Sequence, residues 1–207
     1  MNKAIIFDLD GVLVDSKDIH FNSLNLALAN INEKYVISSE EQESIYEGMT
    51  TKSKLDLLTH LKGLPKELHK YVWQLKQEYS SVMFENIESD SELIDIFKYF
   101  HNDGYKIGVA SNSIRQTLTN CLHSLGIWRY IDVSLSNEDV NNPKPNPEIY
   151  NKCMAMLDVV PNNAIIFEDS NIGKQAAKDS GAHLIEVENR DTLTMRFVNN
   201  KVVSYFE

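Results

Sequence analysis

The chain has 207 residues, 43% of them hydrophobic, enough for one α/β domain or for a medium domain with a small one. Its net charge of −10 disfavours nucleic acid and anionic membranes as partners, because like charges repel. Two cysteines without a Cys-x-x-Cys pair argue against a disulfide framework and a structural zinc site. No apolar run approaches the ~18–20 residues of a membrane span, and the N-terminus does not resemble a signal peptide, so we expect a cytoplasmic protein.

The first predicted strand, Lys3–Leu9, is followed by a long segment without a convincing strand pattern. In this segment, apolar residues recur at helical spacing in three stripes. The stripes are Phe21, Leu24, Leu28 and Ile31; Leu55, Leu58 and Leu61; and Leu68, Tyr71, Leu75, Tyr79 and Val82. This pattern predicts a small helical domain over residues 15–87, inserted into a discontinuous core domain of residues 1–14 and 88–207.

Strands and helices alternate in the rest of the chain. The further predicted strands are Tyr105–Ala110, Ile131–Leu135, Ala164–Phe167 and Ala182–Val187. Continuous apolar runs are typical of strands covered on both faces. Helical patterns between them end at Gly104, Gly126 and Gly181. The predicted fold class is therefore α/β, with a doubly wound, five-stranded, parallel sheet of the Rossmann-like kind.

Pairs of acidic residues follow the first and fourth predicted strands. Asp8 and Asp10 are two positions apart, which places side chains on one side of a strand, and Glu168 and Asp169 follow the fourth strand. In a doubly wound sheet, ligands bind at the carboxyl ends of the strands. Clustered carboxylates must share protons or bind a cation, and oxygen ligands suit Mg²⁺ better than zinc. Each pair taken alone could instead be a helix N-cap or a solvated turn.

Two other segments offer groups that bind anions. The sequence SNS at Ser111–Ser113 precedes a helical pattern, where a hydroxyl and backbone N–H groups can bind an anion. Lys144 lies between prolines in PKPNP, and the proline rings restrict the path of that loop. Such residues are also common as N-caps and as surface lysines. Together they predict an anion site with one fixed cation beside the acidic residues.

The order of these residues resembles the four motifs of the haloacid dehalogenase (HAD) superfamily over essentially the whole chain. The matching residues are Asp8-x-Asp10-Gly11-x-Leu13-x-Asp15-Ser16, then Ser111, Lys144 and Glu168-Asp169. The resemblance implies that Asp8 is the nucleophile that accepts the phosphoryl group as an aspartyl phosphate. It implies that Asp10 is the general acid and base, and an acid at this position favours phosphate chemistry over dehalogenation.

The same resemblance implies the binding residues. Ser111, Asn112 and Lys144 are expected to bind the phosphoryl oxygens. Mg²⁺ is expected to bind to Asp8, to the backbone carbonyl of Asp10 and to Asp169. Glu168 matches an acidic position that assists the metal site.

The helical insert resembles the cap domain found after the first strand in one HAD subfamily. The segments DSKDIHFNSLNLAL and FEDSNIGKQAAKDSGA resemble the beta-phosphoglucomutase-like branch. In that branch, the position of His20 helps to control the residue matched by Asp10. The alternative for His20 is a solvent-facing residue of a cap helix.

The cap differs from that of the mutase itself. A mutase arginine that grips the second phosphate of the substrate aligns with Thr51, after Gly48, and a basic residue before that glycine is replaced by Glu47. Lys52 and Lys54 could substitute, or could form a solvated helix face. Thr51 and Lys52 are thus the predicted substrate contacts of the cap.

The resulting prediction is a Mg²⁺-dependent phosphatase that acts on a small phosphorylated metabolite, with sugar phosphates as the first choice. The alternatives are a beta-phosphoglucomutase-like sugar phosphomutase and a phosphonate hydrolase that uses a cap lysine. A different class, a non-catalytic phosphoacceptor such as a receiver domain or a binding module, also stays open. The protein is expected to be a monomer or a dimer.

Overall fold

The computed structural model describes residues 2–46 and 49–206, and its centre is one parallel sheet. The strands are β1 (Ala4–Phe7), β2 (Lys106–Ala110), β3 (Val133–Leu135), β4 (Ala164–Glu168) and β5 (His183–Glu186). They lie in the order β3-β2-β1-β4-β5, and every neighbouring pair is parallel. The strand order reverses between β1 and β4, the place where open α/β sheets bind ligands. The predicted doubly wound fold class is confirmed.

Helices flank the strands in sequence. In the described residues they are α1 (Lys17–Ile31), α2 (Ser39–Glu41), α3 (Thr51–Lys62), α4 (His69–Glu85), α5 (Ser91–Asn102), α6 (Arg115–Ser124), α7 (Glu148–Met156), α8 (Asn171–Asp179) and α9 (Met195–Phe206). A π-helical turn, Gln42–Tyr46, follows α2. None of the helices in residues 2–46 and 49–206 is both long and apolar enough to cross a bilayer.

The chain divides into two compact units. Residues up to Ser16 and from Ile87 onward form an α/β unit, and Lys17–Asn86 form a helical unit that contains α1 to α4. That the helical unit acts as a cap stays a prediction.

The two faces of β1 pack against different helices. The Phe7 ring stacks on Phe97 of α5 and on Phe167 of β4, with centroid distances of 4.9 and 5.0 Å. Ile6, on the other face, belongs to a buried cluster with Tyr150 and Ala176 of α7 and α8. Because side chains alternate along a strand, Asp8 continues the Ile6 face, and its carboxylate comes out on the α7 side.

The core of the helical unit differs from the predicted stripes. Leu24, Leu28, Leu55 and Leu58 are buried together, as expected. The predicted core residues Leu61, Tyr71 and Val82 are instead 56%, 46% and 57% exposed. The buried residues of α4 are Val72, Lys76, Ser80, Ser81 and Phe84.

The stripe on α4 was only partly right. Leu75 and Tyr79 pack against the core of the helical unit, but most of the fully buried positions of α4 are polar. The hydroxyl of Ser80 donates to the hydroxyl oxygen of Ser23 on α1, 2.9 Å away, and also to the backbone oxygen of Lys76. Small hydrogen-bonded residues therefore contribute to the α1–α4 contact, together with the His20 and Phe84 rings, whose centroids lie 5.9 Å apart. A search for apolar periodicity selects the neighbouring, more exposed face instead.

Candidate active site

Three carboxylates meet at the carboxyl ends of β1 and β4. Phe7 pairs with Phe167 in register, and the Asp8 backbone N–H donates to the Phe167 carbonyl oxygen at 3.0 Å. Carboxylate oxygens of Asp8, Glu168 and Asp169 lie within 4.8 Å of one another. The structure thus brings Asp8 of the first predicted acidic pair together with both acids of the second pair.

Lys144 extends into this acidic cluster. Its ammonium donates to Asp8 Oδ1 at 2.5 Å, to Glu168 Oε1 at 2.8 Å and to the Ala110 carbonyl oxygen at 2.8 Å. A lysine ammonium has three N–H donors, so each has a protein acceptor. Burial alone would lower the Lys144 pKa, but the charges of Asp8 and Glu168 outweigh it and raise the pKa. Lys144 is therefore held as a cation.

Asn112 and Ser111 shape the loops around Lys144. The Asn112 side-chain amide donates to the Lys144 carbonyl oxygen at 3.2 Å and accepts from the Lys144 N–H at 3.1 Å. The side chain of Asn112 is thus bonded to the lysine loop, and its predicted contact with phosphate stays a prediction. Ser111 is fully buried, and its hydroxyl oxygen accepts from the Ser113 N–H at 2.9 Å. The Ser111 hydroxyl can still donate to a phosphoryl oxygen.

The carboxylate of Asp10 lies outside the three-carboxylate cluster. Its Oδ2 accepts a hydrogen bond from the Ser113 hydroxyl at 2.9 Å. Ser113 is part of the SNS motif, but no sequence pattern connects it with Asp10. The backbone carbonyl of Asp10 as a metal ligand stays a prediction.

Gly11 allows Asp169 to approach the loop after β1. Gly11 has a positive φ of 83°, and a Cβ there would lie 2.0 Å from Asp169 Oδ2. Any side chain at position 11 would therefore displace this carboxylate. The glycine directly after the Asp8-x-Asp10 pair therefore has a steric reason.

The electrostatics of the three acids favour a bound cation. Asp169 Oδ1 is buried and has no hydrogen-bond partner. Burial, and secondly the charge of Glu168, raises the pKa of Asp169 to about 6. Burial also raises the pKa of Asp8 well above its usual value, although Lys144 opposes this shift. When all three carboxylates are ionised, one ammonium leaves two uncompensated negative charges, and the oxygen donors fit a hard divalent ion such as Mg²⁺.

The remaining predicted residues belong to the helical unit. His20 is half-buried on α1, and its Nδ1 lies 3.1 Å from the Lys76 ammonium. Thr51 and Lys52 open α3, with Lys52 exposed. Their roles toward substrate and toward Asp10 stay predictions. Glu47 and Gly48 lie outside the described residues.

Sequence reasoning missed several residues around the acids. Tyr150 donates to Glu168, and Ser170 contacts the same carboxylate from the start of α8. Lys76, buried in the helical unit, was also missed. In an amphipathic helix, a tyrosine or a lysine that binds another buried polar side chain has the same sequence pattern as one that is simply packed or solvated. Ser170, by contrast, directly follows the acidic pair and could have been considered.

An α/β sheet with a lysine-bearing acidic centre at its topological switch point defines a class of enzymes rather than one activity. The sequence model of the haloacid dehalogenase-like hydrolases matches residues 5–187, and the chain belongs to this family. The resemblance inferred from the ordered motifs is confirmed.

Individual relatives are distant but cover most of the chain. The phosphorylated carbohydrates phosphatase of Thermotoga maritima is 26% identical over 183 residues, which are 88% of this chain and 83% of that protein. The fructose-1-phosphate phosphatase YqaB of Escherichia coli is 25% identical over 186 residues, 89% of this chain and 95% of that protein. The crystal structure of beta-phosphoglucomutase from Clostridium difficile has a TM-score of 0.76 at 23% identity, with 99% of each chain covered. That structural likeness supports the fold.

Proposed function

We propose that this protein is a Mg²⁺-dependent phosphatase of small phosphorylated metabolites, with sugar phosphates as the preferred class. The observation that carries the proposal is the contact of Asp8 with Lys144 beside a buried Asp169 oxygen that has no protein partner. Two relatives are named as phosphatases, of phosphorylated carbohydrates and of fructose-1-phosphate, which supports the substrate class.

In the proposed reaction, Asp8 acts first. A carboxylate oxygen of Asp8 attacks phosphorus, the bond to the leaving oxygen breaks, and Asp10 gives that oxygen a proton. Asp10 then takes a proton from water, whose oxygen attacks the aspartyl phosphate and releases inorganic phosphate and the Asp8 carboxylate.

The other residues supply charge and orientation. Lys144 holds Asp8 in place and faces the developing negative charge, while the Ser111 hydroxyl donates to a phosphoryl oxygen. A divalent ion held by Asp8 and Asp169 would balance the negative charges of the carboxylates and the phosphate. The Ser113 hydroxyl orients Asp10 through its bond to Oδ2.

A panel of phosphorylated metabolites, assayed for free phosphate with and without Mg²⁺, tests the proposal. We expect release from sugar phosphates by the wild-type protein only with Mg²⁺, and none by Asp8→Asn. Addition of a sugar bisphosphate primer separates the mutase alternative, because isomerised sugar phosphate without free phosphate would contradict hydrolysis. Binding of sugar phosphates without any turnover would favour a binding module.

A further inference from the structure

We propose that Tyr150 is a positioning residue for the phosphoryl-transfer centre. It orients Glu168, and Glu168 together with the Tyr150 ring holds the Lys144 ammonium against Asp8. This inference rests on the proposed function, since it concerns the orientation of the proposed nucleophile.

The carboxylate of Glu168 is fully engaged by donors from the protein. Its Oε1 accepts from the Lys144 ammonium at 2.8 Å and from the Tyr150 hydroxyl at 2.8 Å. Its Oε2 accepts from the Ser170 backbone N–H at 3.1 Å and from the Ser170 hydroxyl at 3.2 Å. A carboxylate offers about four lone-pair sites, and four donors fill them here.

Glu168 and Asp169 are adjacent in sequence, but their carboxylates differ in hydrogen bonding. Asp169 Oδ1 has no hydrogen-bond partner, whereas both oxygens of Glu168 have two. Asp169 is therefore suited to bind a cation directly. Glu168 is suited to anchor Lys144, although its carboxylate lies in the same acidic cluster.

The backbone of α8 closes the remaining space around Glu168. A Cβ at Gly173 would lie 1.7 Å from Glu168 Oε1, so the carboxylate packs directly on the helix at this glycine. The Gly173 N–H in turn donates to the Ser170 hydroxyl at 3.1 Å. Glu168 consequently has one well-defined orientation, and the position of its Oε1 determines one of the three bonds of Lys144.

Tyr150 contributes to this arrangement in two ways. Its side chain is fully buried on α7, and the Lys144 Nζ lies 4.6 Å from its ring centroid, within cation–π range. Its hydroxyl donates to the oxygen that Lys144 also uses. An oxygen that accepts from two donors attracts each of them less strongly, so the Tyr150 bond keeps Lys144 shared between Glu168 and Asp8. Without the hydroxyl, we expect Lys144 to move toward Glu168 and away from Asp8.

The variant Tyr150→Phe keeps the ring and removes only the hydroxyl. The matched control is Tyr35→Phe, which removes another buried hydroxyl, bonded to the Gly63 carbonyl oxygen at 3.2 Å in the helical unit. With a sugar phosphate and saturating Mg²⁺, we expect kcat of Tyr150→Phe to fall about tenfold with little change in KM, the size of a lost hydrogen bond to a charged group. We expect Tyr35→Phe to keep the wild-type kcat.

A double-mutant cycle tests whether Tyr150 acts through Glu168. In a Glu168→Gln background, Tyr150→Phe should lower kcat by much less than in the wild-type background, because coupled residues are not additive. Equal losses in both backgrounds would overturn the proposed route through Glu168.

A measurement without metal or substrate reports on Lys144 directly. The ¹H–¹⁵N spectrum of the lysine ammonium groups should show a protected Lys144 signal, assigned by its loss in Lys144→Arg. We expect this signal to shift or broaden in Tyr150→Phe and to persist in Tyr35→Phe. An unchanged signal, or an active Tyr150→Phe with kcat within about twofold of wild type, would overturn the role of Tyr150. A wild-type protein without turnover would instead overturn the proposed function.

Discussion

Lys54 in the helical unit is half-buried and Lys144 in the α/β unit is fully buried. The pKa values of these two lysines shift in opposite directions. Lys54, in the helical unit, donates to the neutral amide oxygen of Gln42 at 2.9 Å, and burial lowers its pKa. Lys144, in the α/β unit, is more deeply buried, yet its pKa is raised because Asp8 and Glu168 surround it.

The difference shows where this chain concentrates its chemistry. In the α/β unit, parallel strands end side by side and bring charged residues from distant parts of the sequence together. In the helical unit, the half-buried Lys54 has a neutral partner, and the buried Lys76 lies beside His20. A buried cation held between carboxylates is typical of a functional site. A lysine bonded to an amide oxygen needs only a local structural explanation.

The largest expected difference between the units concerns their aspartates. Asp169→Asn should lower kcat/KM on the order of 10³-fold, because it weakens a metal site expected to stabilise the negative charge of the transition state by several kcal/mol. Asp56→Asn, at an exposed position of α3, should leave kcat/KM close to the wild-type value. Steady-state assays over a Mg²⁺ series measure both. Equal kinetics for wild type and Asp169→Asn at every Mg²⁺ concentration would contradict the assigned role.

Removing the charge of Lys144 should lower the free energy of unfolding more than removing the charge of Lys54. Lys144→Met leaves Asp8 and Glu168 without their shared cation, and breaking such a buried pair costs about 3–5 kcal/mol. Lys54→Met loses a bond to a neutral amide, which contributes about 1 kcal/mol. Urea denaturation of the Mg²⁺-free variants at neutral pH gives both values. A smaller loss of stability for Lys144→Met than for Lys54→Met would show that the cation does not compensate the acids.

Addition of Mg²⁺ should stabilise the α/β unit through the acidic cluster. At a free Mg²⁺ concentration of 100 times Kd, linkage predicts a gain of about 2.7 kcal/mol in unfolding free energy. Thermal or urea unfolding with and without Mg²⁺ measures the gain. Asp169→Asn should lose most of it and Asp56→Asn should keep it. The same gain in Asp169→Asn would place the stabilising ion elsewhere.

The smallest expected effect is on the pH dependence of stability without metal. Asp169 has a pKa of about 6 when folded, against about 3.9 for an unfolded aspartate. Between these values, the folded protein binds more protons than the unfolded chain, so this group makes stability fall as pH rises from about 4 to about 6. Partial exposure of Asp169 screens the effect.

Urea titrations across this pH range compare wild type with Asp169→Asn. The stability of the wild-type protein should fall relative to that of the variant as pH rises. Parallel curves would show that Asp169 titrates normally.

Much of the α/β unit could be predicted from the sequence, because its strands are short apolar runs that end in polar residues. The order of Asp8, Ser111, Lys144 and Asp169 along the chain was enough to infer the family. Parallel neighbours have their carboxyl ends at the same edge, so the acids were expected to meet if the first and fourth strands were neighbours. The pairing of β1 with β4 meets this condition.

Other parts could not be predicted, for two physical reasons. Tyr150 and Gly173 contact Glu168 through the packing of α7 and α8 on the sheet, which depends on register and distance rather than on pattern. In α4, the buried face carries Lys76 and Ser80, and polar side chains that bond each other across a helix pair give no hydrophobic period. The prediction that Tyr71 is a core residue was therefore wrong.

A crystal structure grown with Mg²⁺ would show whether a divalent ion compensates the acids at the ends of β1 and β4. We expect one ion bonded to carboxylate oxygens of Asp8 and Asp169 at about 2.1 Å, with Glu168 still bonded to Lys144 and Tyr150. An ion bound elsewhere, or no ion near Asp169 at saturating Mg²⁺, would contradict this expectation.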